Sequence, residues 1–406
     1  MVVSGSARQF TVRGKDRPHF GRCWEGKQTA VPALGVPESA LRVRVGVVGC
    51  GYWGPQLIRN FNELRTAELV AVAERRPDRL DYVQEHYRQV AALSDYQDLL
   101  RQDLDAVVIA TPIQTHYQLT RAALLAGKHV MVEKPLATSV QDALELQRLA
   151  AERNLVVMVG HTFLYNPAVR ELRRLVASGE LGQIYYLDAA RLNLGLFQRE
   201  VDVIWDLAPH DISILLYVLQ RRIKRVSARG SACVQAGVHD VAYLELLFEG
   251  DVRAQIHVSW LDPCKVRRLT IVGDRKMAVY NDVSFTEKIR IYNTGVEPPI
   301  TDNFGEFQLS YRYGEMTAPY IPWQEPLRLQ CEHFVSCVQT GAKPESDVDH
   351  GIEVVAVLEA AARSLAKAGT RVSLNGRPSL NGSHPGPNGS GSRRKPTRII
   401  LPTTPA

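Results

Sequence analysis

Five short apolar runs, separated by amphipathic stretches, constrain the fold of this chain more than any other feature of its 406 residues. Strands without a polar face are buried on both sides, and a parallel sheet covered by helices provides that burial. The alternation therefore predicts a doubly wound α/β domain over residues 41–160. The predicted strands are Arg42–Val48, Glu68–Ala73, Ala106–Ala110, His129–Val132 and Val156–Val159.

The sequence beyond residue 160 differs, because its strand-like runs follow one another without intervening helices. Turn signals such as Glu249-Gly250-Asp251 separate them. This pattern predicts an α+β domain over residues 161–374, with a large, open, mostly antiparallel sheet. The predicted strands are Tyr243–Phe248, Arg253–Ser259, Arg268–Val272 and Ile289–Tyr292, and helices are predicted near Asn166–Ser178, after Pro209, and over Gln324–Gln339 and His350–Lys367.

Both ends of the chain are polar and lack a sustained apolar period. We predict a disordered extension over residues 1–40 and a disordered basic tail over residues 375–406. These segments carry +3 and +5 of the formal net charge of +6, which leaves −2 for residues 41–374. A nearly neutral body argues against nucleic acid as a partner.

Two further observations bear on the compartment. No apolar run approaches the roughly 18 residues of a transmembrane helix, and the start lacks the apolar core of a secretory signal. The six cysteines are scattered, without a CxxC pair or a block of Cys and His at metal-ligand spacing. We therefore expect a cytoplasmic protein with reduced thiols, no membrane partner and no metal site.

The first predicted strand leads into the glycine-rich turn Gly49-Cys50-Gly51-Tyr52-Trp53-Gly54, and a helical pattern follows. In a dinucleotide site, the first glycine allows the tight turn, the second lets the pyrophosphate approach the backbone, and the third permits close helix packing. The N–H groups of the helix then face the phosphates. We predict that this turn, including Tyr52 and Trp53, binds a dinucleotide cofactor.

An acidic residue follows the second predicted strand. Glu74 lies 20 residues beyond Gly54, where a carboxylate accepts hydrogen bonds from the adenosine ribose. This position favours NAD. Arg75 and Arg76 come next and could hold a 2′-phosphate, so NADP stays open.

Two more segments follow predicted strands at the edge where parallel sheets bind ligands. Ala110–His116 follows the third strand, and we expect its Thr111, Pro112 and His116 to contact the cofactor. Glu133-Lys134-Pro135 follows the fourth strand. The ammonium of Lys134 could polarise a substrate oxygen there, although a solvated surface lysine is the ordinary alternative.

The second domain contributes the segment Trp205-Asp206-Leu207-Ala208-Pro209-His210-Asp211. Asp206 and His210 are four residues apart, so the carboxylate could orient the imidazole or share a substrate hydroxyl with it. A histidine can accept a proton near neutral pH. The competing interpretation is a helix capped by Asp206 and a packed His210.

Taken in this order, these motifs resemble the Gfo/Idh/MocA family of nicotinamide-dependent oxidoreductases. The resemblance covers about residues 42–374. It implies that Lys134 and His210 are catalytic, that Asp206 orients the histidine or binds substrate, and that Glu133 lies near the nicotinamide ribose.

The resemblance also extends to substrate-side segments. His161–Pro167 matches a family segment that makes Asn166 a sugar contact, and Arg191–Gly195 and Pro322–Pro326 are similar to a subgroup that oxidises the 3-hydroxyl of nucleotide-activated sugars before an aminotransferase acts. It therefore implies a sugar substrate that Arg191 helps to bind. It further implies a homo-oligomer, a dimer or tetramer, formed through the second-domain sheets, and coupling to a PLP-dependent aminotransferase.

Two other functions stay open at this point. One is oxidation of a 3-hydroxyl on an aminoglycoside ring in antibiotic biosynthesis. A pocket rich in carboxylates would favour that cationic substrate, and one rich in arginine would favour a diphosphate. The other is a non-catalytic dinucleotide-binding regulator, against which the presence of both Lys134 and His210 weighs.

Overall fold

The computed structural model describes residues 42–198, 201–297 and 310–374. The segments predicted to be disordered, 1–40 and 375–406, lie outside the described residues.

The first domain is built on a six-stranded parallel sheet with the strand order β3-β2-β1-β4-β5-β6. Its elements are β1 (Val43–Val48), α1 (Gly54–Glu63), β2 (Ala67–Ala73), α2 (Pro77–His86), β3 (Ala91–Leu93), α3 (Tyr96–Leu100), β4 (Ala106–Ile109), α4 (His116–Leu125), β5 (His129–Val132), α5 (Val140–Arg153) and β6 (Val157–Val159). This order is that of a dinucleotide-binding Rossmann fold and reverses direction between β1 and β4. The predicted doubly wound fold is confirmed.

All five predicted strands form, each with bounds within one residue of the prediction. They are recognisable because nearly all their side chains are buried; all four residues of β4 are buried, for example. The sequence analysis missed β3, which has only three residues and no buried side chain. A strand this short and exposed has no apolar run to reveal it.

The second domain contains a nine-stranded sheet with the order β14-β13-β12-β11-β7-β10-β9-β8-β15. Its elements are α6 (Pro167–Ala177), β7 (Ile184–Leu192), α7 (Val203–Leu219), β8 (Ile223–Ser231), β9 (Val241–Phe248), β10 (Arg253–Ser259), β11 (Val266–Gly273), β12 (Met277–Asn281), β13 (Ile289–Glu297), β14 (Ser310–Thr317), α8 (Pro326–Thr340), α9 (Val348–Leu365) and β15 (Val372–Ser373). Among the described strands of this sheet, only β7 and β10 pair in parallel. The predicted mostly antiparallel sheet is confirmed.

Helix α7 corrects the prediction of a helix that starts after Pro209. It begins at Val203 and contains Pro209 in its interior. The side chain of Asp202, rather than that of Asp206, caps it by accepting hydrogen bonds from the N–H groups of Ile204 and Trp205. A proline is usually excluded from a helix interior, but 13 of the 17 residues of α7 are buried, and this packing outweighs the lost hydrogen bond.

The C-terminal helices connect the two sheets. Ile352, Val355 and Ala356 of α9 belong to the same apolar cluster as the strands of the parallel sheet. Farther along α9, the Ser364 hydroxyl accepts a hydrogen bond from the Ala228 N–H on β8. Helix α9 therefore packs on both domains. None of the helices in the described ranges is long and apolar enough to cross a bilayer.

Candidate active site

The three glycines after β1 lie in different surroundings, so a side chain at each position would have a different effect. Gly49 has φ of 101°, and a Cβ atom there would lie 2.6 Å from the carbonyl oxygen of Ala110. A Cβ atom on Gly54 would lie 2.3 Å from the carbonyl oxygen of Gly49. A Cβ atom on Gly51 would meet no heavy atom within 4 Å. The fold itself thus requires Gly49 and Gly54, whereas the space beside Gly51 is open to a ligand.

The N-terminus of α1 is arranged to receive an anion. The N-cap residue Trp53 makes no side-chain hydrogen bond to the first N–H groups, and Pro55 occupies the first turn. The N–H groups of Gln56 and Leu57 donate to the Trp53 carbonyl at 3.1 and 3.2 Å, so the N–H groups left for a phosphate lie in the turn before Pro55. Tyr52 and Trp53 are 81% and 44% exposed and contact each other edge to face at 5.8 Å. These rings border the glycine turn on the solvent side.

The Glu74 carboxylate lies beside this turn. Its Oε2 accepts a hydrogen bond from the Cys50 N–H at 2.7 Å, and its Oε1 accepts from the N–H groups of Arg75 and Arg76 at 2.8 and 3.0 Å. Main-chain bonds therefore hold the carboxylate at the end of β2, next to the glycines. Arg76 is engaged with Asp78 in an ion pair of 2.7 Å.

His116 joins the two loops that follow β4 and β5. It is buried, with Nδ1 2.7 Å from the Pro135 carbonyl oxygen and Nε2 2.9 Å from the Thr111 carbonyl oxygen. Burial lowers its pKa. The Thr111 hydroxyl contacts that of Thr115 at 2.7 Å, and Pro112 caps the short turn between them. His116 therefore connects the loop after β4 to the loop after β5.

Glu133 lies at the end of β5 beside β6. A Cβ atom on Gly160 would come within 3.0 Å of its Oε1, so glycine leaves the room that this carboxylate occupies. Burial raises the pKa of Glu133 to about 7, against the opposing effect of the Lys134 ammonium. The protonation state of Glu133 therefore changes near neutral pH.

Lys134 and Asp206 meet across the two domains. Lys134 Nζ donates a hydrogen bond of 2.8 Å to the main-chain carbonyl of Asp206 and lies 3.6 Å from its carboxylate Oδ1. The other carboxylate oxygen accepts a hydrogen bond of 2.9 Å from Trp260 Nε1 at the end of β10. Lys134 is joined to Pro135 by a cis peptide bond. Its solvated-surface alternative is excluded, because only 13% of its side chain is exposed.

His210 follows Asp206 by one turn of α7, so both project toward the same side of the helix. Its ring contacts that of Phe163 edge to face at 5.2 Å, and its Nδ1 is buried without a hydrogen-bond partner among the described residues. Burial and the cations Lys134, Arg191 and Arg267 hold its pKa well below the ordinary value. His210 is therefore neutral at pH 7, in the state that accepts a proton.

The two predicted substrate contacts are buried and already engaged. Arg191 is 4% exposed and donates to both carboxylate oxygens of Asp211, at 2.7 and 3.1 Å. Asn166 caps α6 by accepting from the Ala168 N–H, and its Nδ2 donates to the Tyr280 hydroxyl at 3.2 Å. Each of these side chains is therefore bonded within the protein, and a direct contact of either with a sugar stays a prediction.

Three side chains near His210 were missed by the sequence analysis. Trp260 holds Asp206, Asp211 holds Arg191, and Asp282 lies 3.3 Å from Arg267 Nη1. Asp211 adjoins His210 in sequence, which is the one available signal. Trp260 follows β10 and Asp282 follows β12, and nothing in their local sequence relates them to α7. Within the described ranges, no three His, Cys, Asp or Glu side chains are grouped as metal ligands.

The glycine turn, the helix terminus and Glu74 together fit a dinucleotide, because they combine open space, N–H donors and a ribose-binding carboxylate. Joined to an ammonium and a neutral imidazole at the adjoining domain edge, they define an NAD-binding oxidoreductase. Comparison with known proteins agrees. Residues 43–161 match the model of the oxidoreductase family with an NAD-binding Rossmann fold, and residues 169–279 match its C-terminal domain. The chain belongs to the Gfo/Idh/MocA family.

Individual relatives differ in what they act on. UDP-N-acetylglucosamine 3-dehydrogenase of Acidithiobacillus ferrooxidans is 29% identical over 63% of this chain and 78% of its own length. Myo-inositol 2-dehydrogenase of Thermotoga maritima is 25% identical over 80% of this chain and 96% of its own length. The structure of GenD2 from gentamicin A biosynthesis, in complex with NAD, superimposes with a TM-score of 0.70 at 22% identity, covering 82% of this chain and 97% of that one. At that identity, this last likeness shows the fold alone.

Proposed function

We propose that this protein is an NAD-dependent dehydrogenase that oxidises the C3 hydroxyl of a nucleotide-activated sugar to a ketone. The observation that carries the proposal is the meeting of Lys134 and Asp206, with Nζ 2.8 Å from the Asp206 carbonyl and His210 one helical turn further on. This arrangement brings a cation and a neutral base to the carboxyl edge of the parallel sheet, where the cofactor binds.

Each residue has a distinct task in this proposal. His210 accepts the hydroxyl proton, and Lys134 stabilises the negative charge that develops on the substrate oxygen. Asp206, held by Trp260, keeps the ammonium in place. The chemistry that NAD supplies when bound is acceptance of the hydride from the same carbon.

The residues expected to hold NAD are those of the carboxyl edge. The three glycines and the α1 terminus would hold its phosphates, Glu74 its adenosine ribose and Glu133 its nicotinamide ribose. His116 would act by positioning Thr111 and Pro112, because both its ring nitrogens lie within 2.9 Å of main-chain carbonyl oxygens and face away from a ligand.

The preference for a nucleotide sugar rests on a relative and not on the local charge. Lys134, Arg191 and Arg267 all act on His210 as cations, but they are paired with the carboxylates of Asp206, Asp211 and Asp282. The similarity to UDP-N-acetylglucosamine 3-dehydrogenase supports a nucleotide sugar. Arg191 is buried, whereas the Arg267 side chain is 38% exposed, so we propose that Arg267 faces the substrate.

The test is formation of NADH by the purified protein with UDP-N-acetylglucosamine, other nucleotide sugars, sugar phosphates and an aminoglycoside. We expect oxidation of a nucleotide sugar, and losses of about 10²–10⁴-fold in kcat for Lys134→Ala and His210→Asn. NAD binding should persist in both variants, because neither side chain belongs to the glycine turn. His86→Asn, a change on the exposed end of α2, is the matched control.

Each result of this panel has a defined meaning. Turnover of the aminoglycoside alone would mean that the substrate is an aminoglycoside and not a nucleotide sugar, while the reaction is still oxidation of a hydroxyl. NAD binding without turnover of any compound would support a dinucleotide-binding regulator instead. Full activity in both variants would overturn the assignment of Lys134 and His210.

The expected product and assembly follow from the same proposal. A keto group at C3 is the acceptor that a PLP-dependent aminotransferase requires, so an enzyme of that class would consume the product. We further propose that the protein assembles into a dimer or tetramer through the outer face of its nine-stranded sheet.

A further inference from the structure

A buried histidine, His161, and a half-buried one, His350, lie near the proposed catalytic residue His210, on which His161 acts electrostatically. His161 follows β6 and is 1% exposed, and His350 lies in the first turn of α9. Their rings meet edge to face, with centroids 5.2 Å apart. Neither ring nitrogen of His161 has a hydrogen-bond partner among the described residues, and the same holds for Nδ1 of His210.

Such a concentration of unpartnered nitrogens is unusual for a protein interior. Buried polar atoms are almost always hydrogen-bonded to protein or to internal water, so each exception calls for an explanation. Ordinary packing does not provide one, because a phenylalanine would fill similar space without polar atoms. These nitrogens are instead suited to a polar connection that runs through the region.

His350 links this region to a polar cavity. The cavity has a volume of about 490 Å³, and its lining includes His350, Tyr217, Arg222, Asp347 and Glu353. Neither His161 nor His210 lines it. His350 therefore contacts His161 on one side and the polar cavity on the other, while its Nε2 lies 2.9 Å from the Ser213 hydroxyl.

A dehydrogenase based on His210 has to release one proton in each turnover. A route through the opposite side of the imidazole would let this proton leave while the substrate and the cofactor are still bound. Nδ1 of His210 is buried and has no hydrogen-bond partner among the described residues, so a proton that leaves from it leaves on a side shielded from solvent. Lys134, Arg191 and Arg267 also favour departure of the proton, since all three are cations.

Building on the proposed function, we propose that His161 and His350 relay the proton from His210 to the cavity beside His350. The proton enters on one nitrogen of His210 and leaves from Nδ1. His161 takes up a proton on one ring nitrogen and gives up another from its second nitrogen, and His350 then does the same. Internal water completes the gaps between rings. One proton enters and one leaves per turnover, so each histidine returns to its neutral state.

The experiment compares the first turnover with the steady state by rapid mixing, using NAD and the compound of the panel that wild type oxidises fastest. The variants are His161→Phe and His350→Ala. We expect a first-turnover rate of NADH formation within about twofold of wild type, because His210 can still accept one proton. The steady-state rate should fall at least tenfold, because His210 cannot be reset. His333→Gln on α8, which alters a half-buried histidine outside the relay, is the matched control.

Two further readouts separate a relay from a structural role. Free imidazole should restore the steady-state rate of His350→Ala, because the adjoining cavity admits it. The melting temperature of His161→Phe should stay the same or rise, since the change removes two unpartnered buried nitrogens. A structural role would instead lower the melting temperature and the first-turnover rate together.

Wild-type steady-state rates in both variants would overturn the relay while leaving the proposed function intact. Loss of the first turnover together with a lower melting temperature would also overturn it, in favour of packing. Absence of turnover by wild type itself would overturn the proposed function, and the relay with it.

Discussion

Glu133 illustrates how a single buried side chain can make cofactor binding depend on pH. Its pKa is raised to about 7 by burial, so it is protonated below that pH and ionised above it. The ionised form accepts hydrogen bonds from ribose hydroxyls and attracts the positive nicotinamide ring. We expect NAD affinity to rise up to about tenfold between pH 6 and pH 8, as the ionised fraction increases.

The Glu133→Gln variant provides the corresponding control, measured by titration calorimetry with NAD at both pH values. Its affinity should be nearly independent of pH over this interval, because glutamine does not ionise. An unchanged pH dependence in the variant would show that another group is responsible.

Arg191 is a residue whose role in stability follows from its burial. Arg191 and Asp211 form a two-bond ion pair in which each side chain is less than one-tenth exposed. Arg191→Met would leave the Asp211 carboxylate buried without its partner, at a cost of about 3–5 kcal/mol in the free energy of unfolding. Denaturant unfolding measures this change. A loss below about 1 kcal/mol would mean that water or another cation replaces the guanidinium.

At the scale of elements, the turn between β1 and α1 contains one glycine that we expect to matter for binding and another that matters for stability. Gly51→Ala should keep the free energy of unfolding within about 1 kcal/mol of wild type, because its Cβ atom would enter open space. It should nevertheless weaken NAD binding at least tenfold, since that space is needed by the pyrophosphate.

The neighbouring Gly54→Ala variant carries the same chemical change into a different environment. Its Cβ atom would lie 2.3 Å from the Gly49 carbonyl oxygen, so the turn has to shift. We expect a loss of about 1–3 kcal/mol in the free energy of unfolding, measured by denaturant. Equal stability of the two variants would contradict this division of roles.

Elements also show where local sequence reasoning succeeds and fails. Strand β10 forms over the predicted residues Arg253–Ser259, because it alternates exposed and buried positions with β-branched side chains. Helix α7 starts six residues before Pro209, although proline normally marks a boundary. The Asp202 cap and the burial of the helix decide its start, and burial depends on residues distant in sequence.

The whole molecule presents a broad sheet face whose partner the sequence analysis expected to be a second copy. Tyr186 and Tyr243 lie on one face of the nine-stranded sheet, as the pairing of β7, β10 and β9 shows, and both are about half exposed. Tyr243 stacks on His257 of the neighbouring strand at 4.3 Å. Exposed aromatic rings of this kind are enriched at protein interfaces.

We therefore expect the protein to elute as a dimer or tetramer, and the double variant Tyr186→Glu, Tyr243→Glu to shift toward monomer. Light scattering coupled to size-exclusion chromatography measures the mass directly. The pair Leu125→Glu and Leu144→Glu, which are 43% and 41% exposed on the first domain, serves as control. A monomeric wild type, or an unchanged mass in the sheet variant, would contradict assembly through this face.

The sequence by itself determined the parallel sheet, its glycine turn and the order of the chemical motifs. These features are local, since buried strands, a strained turn and an N-terminal anion site each depend on a few consecutive residues. Only the tertiary structure decided that Lys134 meets Asp206, that Arg191 is bonded to Asp211, and that His161 contacts His350. Such contacts join residues up to 189 positions apart. They depend on how the helices between the two sheets pack, which no local pattern records.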